Sequence, residues 1–187
     1  MRELQKTIRA SVGGYYELSQ EEQGLLRMAV SVQSRAQAPY SKYAFGVAVL
    51  SESGGVYVGC NVERVSYSQT THAEQNAVDS MIASLGPAKI KIVALVGGPS
   101  EKRALLLRNA QEAITAIESV PVPCGHCLQI IWENCFGDPN VRLIALASSG
   151  EVVSTTIGDA FPMRFGPKDL GVDYSRNLNS SLKRNDR

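Results

Sequence analysis

Two short motifs constrain this chain more than any other feature, because each stands where a helix is predicted to begin. The first, His72-Ala73-Glu74, opens an apolar stripe that runs to Leu85. The second, Pro123-Cys124-Gly125-His126-Cys127, opens another stripe at helical spacing. One imidazole and two thiols can meet at one point only if the two helices begin side by side. The fold must therefore bring these two N-termini together.

The side chains of the two motifs predict a catalytic zinc site. Such a site usually has three protein ligands and one open position, and His72, Cys124 and Cys127 supply three. The positive ends of the two helix dipoles favour ionised thiolates. Zinc lowers the pKa of bound water toward about 7, and Glu74 can reach that water without ligating the metal. We therefore predict Glu74 as the group that carries protons.

Other interpretations of the cysteines have to be weighed, since neither motif is specific by itself. A Cys-x-x-Cys pair also occurs in thioredoxin-like redox sites, in half of a zinc ribbon, or as two packed apolar side chains. The order of elements is not that of thioredoxin, and Cys60 and Cys135 are not spaced as a second ribbon pair. We interpret Cys60, Cys135 and Trp132 as packing residues, and we expect His126 to point away from the metal.

Hydrophobic periodicity along the chain predicts strands that alternate with helices. A capping-box pattern at Ser19 opens a helix that ends before Pro39. Further helices are predicted to begin near residues 72, 101 and 124, and strands are predicted at 44–50, 56–60, 90–96, 141–147 and 151–155. This alternation predicts an α/β domain built as a three-layer α/β/α sandwich.

Length and composition agree with one such domain. The chain has 187 residues, of which 44% are hydrophobic and 20% charged. We expect a loosely held N-terminal arm at 1–18, a catalytic domain at 19–175 with an inserted helical segment at 98–120, and a C-terminal tail at 176–187. A net charge of +1 and 6% aromatic residues argue against a nucleic-acid partner.

The N-terminal residues do not form a secretory signal, and no apolar run is long enough to span a membrane. We therefore expect a cytoplasmic protein without a membrane partner, in a compartment where thiols stay reduced.

Around the two motifs the sequence resembles the cytidine deaminase family, which shares the H-x-E…P-C-x-x-C pattern. The similarity covers most of residues 20–170, chiefly 38–43, 59–63, 71–77, 123–127, 159–161 and 165–170. The histidine before Ala-Glu and the Phe-Gly-Pro-Lys-Asp-Leu stretch are most similar to the dimeric bacterial and plant enzymes, of which the chain corresponds to the catalytic half. The resemblance implies a mixed five-stranded sheet, one zinc ion per subunit, and a homo-oligomer, either a dimer or a tetramer.

The same resemblance implies how a nucleoside would be bound. Asn61 and Glu63 would bind the ribose, chiefly its 3′-hydroxyl, and Tyr43 would stack on the base. Ala73 would give its backbone N–H to the base carbonyl, and the Val122 carbonyl would accept from the 4-amino group.

The implied reaction is hydrolytic deamination of cytidine or deoxycytidine with release of ammonia, as in pyrimidine salvage. Phe165 would come from an adjacent subunit and close the pocket. The Glu63 carboxylate disfavours a 3′-phosphodiester and so argues against nucleic-acid editing.

Two alternatives stay open: deamination of another amino-heterocycle, such as a nucleoside analogue or aminonucleoside antibiotic, and a non-catalytic zinc-stabilised interaction module. Glu74 argues against the second, because a structural zinc needs no such carboxylate.

Overall fold

A six-stranded mixed sheet forms the middle layer of the fold. The computed structural model describes residues 1–100, 121–147 and 149–172, and the strand order is β1-β6-β5-β4-β2-β3. The strands are β1 (Ala10–Gly14), β2 (Tyr43–Ser51), β3 (Val56–Cys60), β4 (Ile90–Pro99), β5 (Arg142–Leu146) and β6 (Glu151–Thr156). Paired strands run antiparallel except β4 and β5, which are parallel.

Helices cover both faces of this sheet. They are α1 (Gln20–Gln33), α2 (Ala73–Leu85), α3 (Gly125–Glu133) and the short α4 (Ile157–Ala160). One buried cluster joins α1 to one face of the sheet, where Leu26 packs with Ala48 and Ile144. A second cluster joins α2 and α3 to the other face through Met81 and Ile131. The predicted three-layer α/β/α sandwich is confirmed.

Local sequence signals account for the elements that lead to the site. The Ser19 hydroxyl accepts the backbone N–H of Glu22 at 3.3 Å, and the Glu22 carboxylate accepts the backbone N–H of Ser19 at 3.0 Å. This capping box begins α1 at the predicted place. The strands predicted at 44–50 and 56–60 are also present, and they pair as an antiparallel hairpin with Val47 of β2 opposite Gly59 of β3.

The sheet has six strands where five were expected, because part of the predicted N-terminal arm is a strand. Residues 10–14 form β1 and pair antiparallel with β6, with Val12 opposite Val153. Lys6 holds the preceding segment by donating from Nζ to the Gly158 carbonyl at 2.8 Å. Most of β1 is exposed, so it carries no buried alternation that hydrophobic periodicity could detect.

Two sequence predictions fall largely outside the described residues. Of the inserted helical segment at 98–120, residues 98 and 99 belong to β4, and 101–120 lie outside the described part, as does the tail at 176–187. Among the residues that the structure describes, no helix combines the length and apolarity needed to cross a membrane.

Candidate metal and substrate site

The two motifs meet at the N-termini of α2 and α3. His72 is the N-cap residue of α2, Cys124 is the N-cap residue of α3, and Cys127 lies in the first turn of α3. The Nδ1 atom of His72 lies 3.5 Å from the Cys124 sulfur and 3.4 Å from the Cys127 sulfur. The three candidate ligand atoms all lie within 4.8 Å of one another, as the sequence predicted.

This donor set fits a zinc ion. Tetrahedral zinc, with Zn–S near 2.3 Å and Zn–N near 2.0–2.1 Å, places a ligating sulfur and nitrogen about 3.6 Å apart. The two observed nitrogen–sulfur distances are close to that value. Burial raises the pKa of the Cys127 thiol, and the nearby Glu74 and Cys124 raise it further. A thiol in these surroundings ionises when a cation takes the place of its proton.

Glu74 lies beside the ligands, in the first turn of α2. Its side chain is buried, with 5% of the residue exposed. Burial raises the pKa of this carboxyl, while its own backbone N–H, the Cys127 thiol and the two histidines oppose the shift. A carboxyl with a raised pKa, within hydrogen-bond reach of a metal ligand, is suited both to accept and to donate a proton.

His126 lies between the two cysteines in sequence but outside the group of ligand atoms. Its ring stands edge-on to that of His72, with the centroids 5.6 Å apart. Cys135 is fully buried in the core, and Cys60 is half-buried in β3. Of the histidines and cysteines in the described residues, only His72, Cys124 and Cys127 place their ligand atoms in one group.

The position of α2 depends on a close approach to β3 at Gly59. A Cβ atom at Gly59 would overlap the Ala73 carbonyl oxygen and the Ala77 nitrogen, and would lie 2.9 Å from the Asn76 carbonyl carbon. Only glycine allows the helix backbone to lie this close to the strand. The helix that carries Glu74 is therefore seated directly on the hairpin.

Asn61 follows β3 and ties it to the start of β2. Its Nδ2 donates to the Tyr43 carbonyl at 2.9 Å, and its Oδ1 accepts the Phe45 backbone N–H at 2.8 Å. The family resemblance implied a sugar contact for Asn61 and did not indicate this bonding to the backbone of β2. One N–H and one acceptor lone pair of the amide are left for a further partner.

Glu63 is buried, with 6% of the residue exposed. Its Oε2 atom accepts the backbone N–H groups of Tyr40 at 2.8 Å and Ser41 at 3.2 Å. Burial acts to raise the pKa of Glu63, but the hydrogen bonds from Ser41 and Tyr40, with the charge of Lys42, outweigh it and lower that pKa. The carboxylate is therefore held ionised and oriented.

A short backbone ladder connects this carboxylate with the metal ligands. Val62 forms an isolated parallel bridge with Gln37 and an antiparallel bridge with Thr71. The Val62 N–H donates to the Thr71 carbonyl at 2.9 Å, and the Thr71 N–H donates to the Val62 carbonyl at 3.0 Å. Because His72 follows Thr71, the segment with Asn61 and Glu63 is anchored next to a metal ligand. Gln37 did not stand out in the sequence.

The remaining predicted contacts are placed as follows. Tyr43 is 42% exposed and stacks on Phe45, with ring centroids 6.3 Å apart and planes 27° apart. Ala73 is the first residue of α2, so its N–H is one of those that a helix leaves without an internal partner. Val122 is 54% exposed and lies two residues before Cys124.

Phe165 lies in a groove separate from the ligand group. The groove, of about 1210 Å³, also contains Trp132 and Arg164, and none of the three metal ligands lines it. Arg164 stacks over the Trp132 ring at 4.1 Å, and Gln129 donates to the Phe165 carbonyl at 3.2 Å. Trp132 packs against the core as predicted and also forms one wall of the groove.

Comparison with known proteins agrees with this geometry. The family model for the cytidine and deoxycytidylate deaminase zinc-binding region matches residues 19–141. A cytidine deaminase of Sporosarcina psychrophila is 34% identical over 145 residues, which cover 76% of this chain and 91% of that protein. One of Proteus mirabilis is 33% identical over 139 residues, which cover 73% of this chain and 37% of that protein. The crystal structure of a Burkholderia pseudomallei cytidine deaminase matches with a TM-score of 0.59 at 30% identity, covering 76% of this chain and 97% of that one.

The chain belongs to the family of zinc-dependent cytidine and deoxycytidylate deaminases. It holds one zinc ion, at the group formed by His72, Cys124 and Cys127. The interpretations of Cys-x-x-Cys as a redox pair or as half of a zinc ribbon are therefore wrong for this chain.

Proposed function

We propose that this chain catalyses the hydrolytic deamination of cytidine or deoxycytidine, giving uridine or deoxyuridine and ammonia. The observation that carries the proposal is the buried Glu74 carboxylate beside His72, Cys124 and Cys127. The relatives from Sporosarcina and Mycobacterium tuberculosis, which are named cytidine deaminases, support this choice of substrate.

Glu74 performs the proton transfers of the reaction. When bound, zinc supplies the Lewis acidity that makes water a nucleophile at neutral pH. Glu74 takes the proton from that water and delivers it to N3 of the base. The water oxygen forms a bond to C4, and Glu74 then takes the remaining proton of that oxygen and relays it to the amino group. The C4–N4 bond breaks as the C4=O group of the product forms, and the amino group leaves as ammonia. Burial, which raises the pKa of Glu74, suits a group that must be both base and acid.

Asn61 and Glu63 bind the sugar in this proposal. The Glu63 carboxylate is ionised and fixed by the N–H groups of Tyr40 and Ser41, so it can accept a hydrogen bond from the 3′-hydroxyl. The amide of Asn61 has one donor and one acceptor to spare after its two backbone bonds. A 3′-phosphodiester would meet the charge of Glu63, which favours a free nucleoside.

Three groups contact the base. The exposed Tyr43 ring, supported from below by Phe45, offers a stacking surface. The Ala73 N–H, at the start of α2, donates to the base carbonyl, and the Val122 carbonyl accepts from the 4-amino group. Of the three contacts, only that of the Val122 carbonyl distinguishes the substrate from its product, because the product has no amino group at the 4-position to donate to it.

The enzyme acts as a homo-oligomer, a dimer or tetramer, in which Phe165 closes the pocket of an adjacent subunit. The exposed apolar side chains that line that groove support this arrangement, since Met163 is 92% and Phe165 56% exposed. Thiolate ligands need reduced cysteines, which supports a cytoplasmic location.

The test is Glu74→Gln in the zinc-loaded enzyme. We expect one zinc per chain by elemental analysis and a loss of about 10²- to 10⁴-fold in kcat, because proton transfer typically contributes that much. Turnover is followed by the ultraviolet change on converting cytidine to uridine, with deoxycytidine, cytosine and dCMP in parallel. A variant that retained the parental rate would show that Glu74 does not carry the proton.

Glu21→Gln is the matched control, because Glu21 occupies the first turn of α1 as Glu74 does that of α2. Its side chain is exposed and paired with Lys91, so kcat should stay near that of the parent. If the parent protein binds zinc yet converts another amino-heterocycle and no cytidine, the proposed substrate is wrong.

A further inference from the structure

The parallel bridge between Gln37 and Val62 is cut short by a proline. Gln37 donates its N–H to the Asn61 carbonyl at 3.1 Å, and its carbonyl accepts the Glu63 N–H at 2.8 Å. In a continuing parallel ladder, the Glu63 carbonyl would next accept the N–H of residue 39. Residue 39 is Pro39, which has no N–H to give.

The side chain of Gln37 supplies the missing donor. Its Nε2 atom donates to the Glu63 carbonyl at 2.9 Å. The Arg64 guanidinium also reaches this oxygen, at the longer distance of 3.3 Å. Both main-chain groups of Glu63 are thus bonded to one residue, the N–H to the Gln37 carbonyl and the carbonyl to the Gln37 amide.

The chain that follows Gln37 holds the carboxylate of the same glutamate. The N–H groups of Tyr40 and Ser41 bond Oε2 of Glu63. Pro39 fixes φ between these contacts and Gln37. The stretch 37–41 therefore binds Glu63 at two places. Gln37 bonds its backbone N–H and carbonyl, and the N–H groups of residues 40 and 41 bond its carboxylate.

We propose that Gln37 is a positioning residue that sets the sugar specificity of the enzyme through Glu63. The inference rests on the proposed function, because it takes Glu63 as the partner of the 3′-hydroxyl. Gln37 itself contacts no substrate. We expect the effect in binding and KM at constant kcat, because Glu63 would bond the sugar and not the reacting base, and loss of such uniform binding raises KM alone.

The experiment compares ligands with and without the 3′-hydroxyl in Gln37→Met, which keeps the side-chain length and removes the donor. Calorimetry on the zinc-loaded protein gives Kd for uridine and for 3′-deoxyuridine. If Glu63 is displaced and loses its hydrogen bond to the 3′-hydroxyl, the Kd for uridine should rise about three- to tenfold. The Kd for 3′-deoxyuridine, which cannot form that bond, should stay unchanged. The KM for cytidine should rise by the same factor at constant kcat.

Gln23→Met is the matched control. Gln23 also donates from Nε2 to a backbone carbonyl, that of Leu18, at the same distance of 2.9 Å. It lies on α1, away from the ligands, so both dissociation constants should remain those of the parent. Gln37→Glu, which keeps the shape and replaces the donor by an acceptor, repeats the test if Gln37→Met does not fold.

The outcomes separate this inference from the proposed function. Equal weakening of uridine and 3′-deoxyuridine, or no weakening of either, would overturn the positioning role of Gln37. If Gln37→Met weakens uridine alone while the parent leaves cytidine unconverted, the positioning role holds and the proposed reaction is wrong.

Discussion

Replacing Gly59 with alanine tests how the metal centre is held in place. A Cβ atom at this position would overlap backbone atoms of Ala73 and Ala77 and lie 2.9 Å from the Asn76 carbonyl carbon. Ordinary contacts of this kind begin near 3.4 Å, so the first turns of α2 must withdraw by about 0.5 Å or more. Backbone atoms on both sides leave no flexible side chain to absorb the change.

The expected cost follows from that displacement. Overpacking a well-packed contact lowers the free energy of unfolding by about 1–3 kcal/mol. The moving turns carry Glu74 and follow directly on His72. Because a 1 Å misplacement can cost about a hundredfold in rate, we expect kcat/KM to fall by about ten- to a hundredfold. Zinc affinity should fall as well, since the His72 nitrogen moves relative to the sulfurs.

The assay combines denaturant unfolding, zinc content and kcat/KM for cytidine. Gly24→Ala is the matched control, because its new Cβ would find only Arg27 Nη2, at 3.8 Å, an ordinary contact. That substitution lies inside α1 and should stabilise the protein by about 0.5–1 kcal/mol. If Gly59→Ala kept the parental kcat/KM and zinc content, the close approach of α2 to β3 would not be what positions the site.

Two further predictions concern the segment that carries Asn61 and Glu63. Asn61→Ala removes two hydrogen bonds to the start of β2 and should lower the free energy of unfolding by about 1–3 kcal/mol; a change in urea unfolding below about 0.5 kcal/mol would contradict this. Because the folded state lowers the pKa of Glu63 from its ordinary 4.5, this carboxylate stabilises the fold above pH 4.5 and loses that contribution as pH falls through the lower value. Relative to Glu63→Gln, the parent should therefore lose stability on acidification, and parallel pH profiles of the two proteins would refute the shift.

The metal centre could be predicted from sequence because its geometry is encoded locally. A helix start fixes where the N-cap residue and the first turn point, so His72, Cys124 and Cys127 needed only one long-range condition, the meeting of two helices. Core strands such as β4 were equally predictable, because continuous apolar runs are typical of buried strands.

Features that depend on which strands pair could not be predicted from the sequence. β1 is an exposed edge strand whose existence follows from its bonds to β6. The role of Gln37 depends on its pairing with Val62. Only that register shows that residue 39 would otherwise donate its N–H to the Glu63 carbonyl. For Asn61 the family resemblance implied a ligand contact, whereas its two hydrogen bonds to the backbone of Tyr43 and Phe45 depend on β2 lying beside it.

The bridge between Val62 and Thr71 has a thermodynamic consequence. It joins the segment that we propose to bind the sugar to the residue that precedes a metal ligand, so nucleoside and zinc would be bound by one continuous stretch of backbone. Coupling free energies are reciprocal. By whatever factor zinc raises the affinity for a nucleoside, the bound nucleoside raises the retention of zinc, and a cell rich in substrate would thereby protect the enzyme from losing its metal.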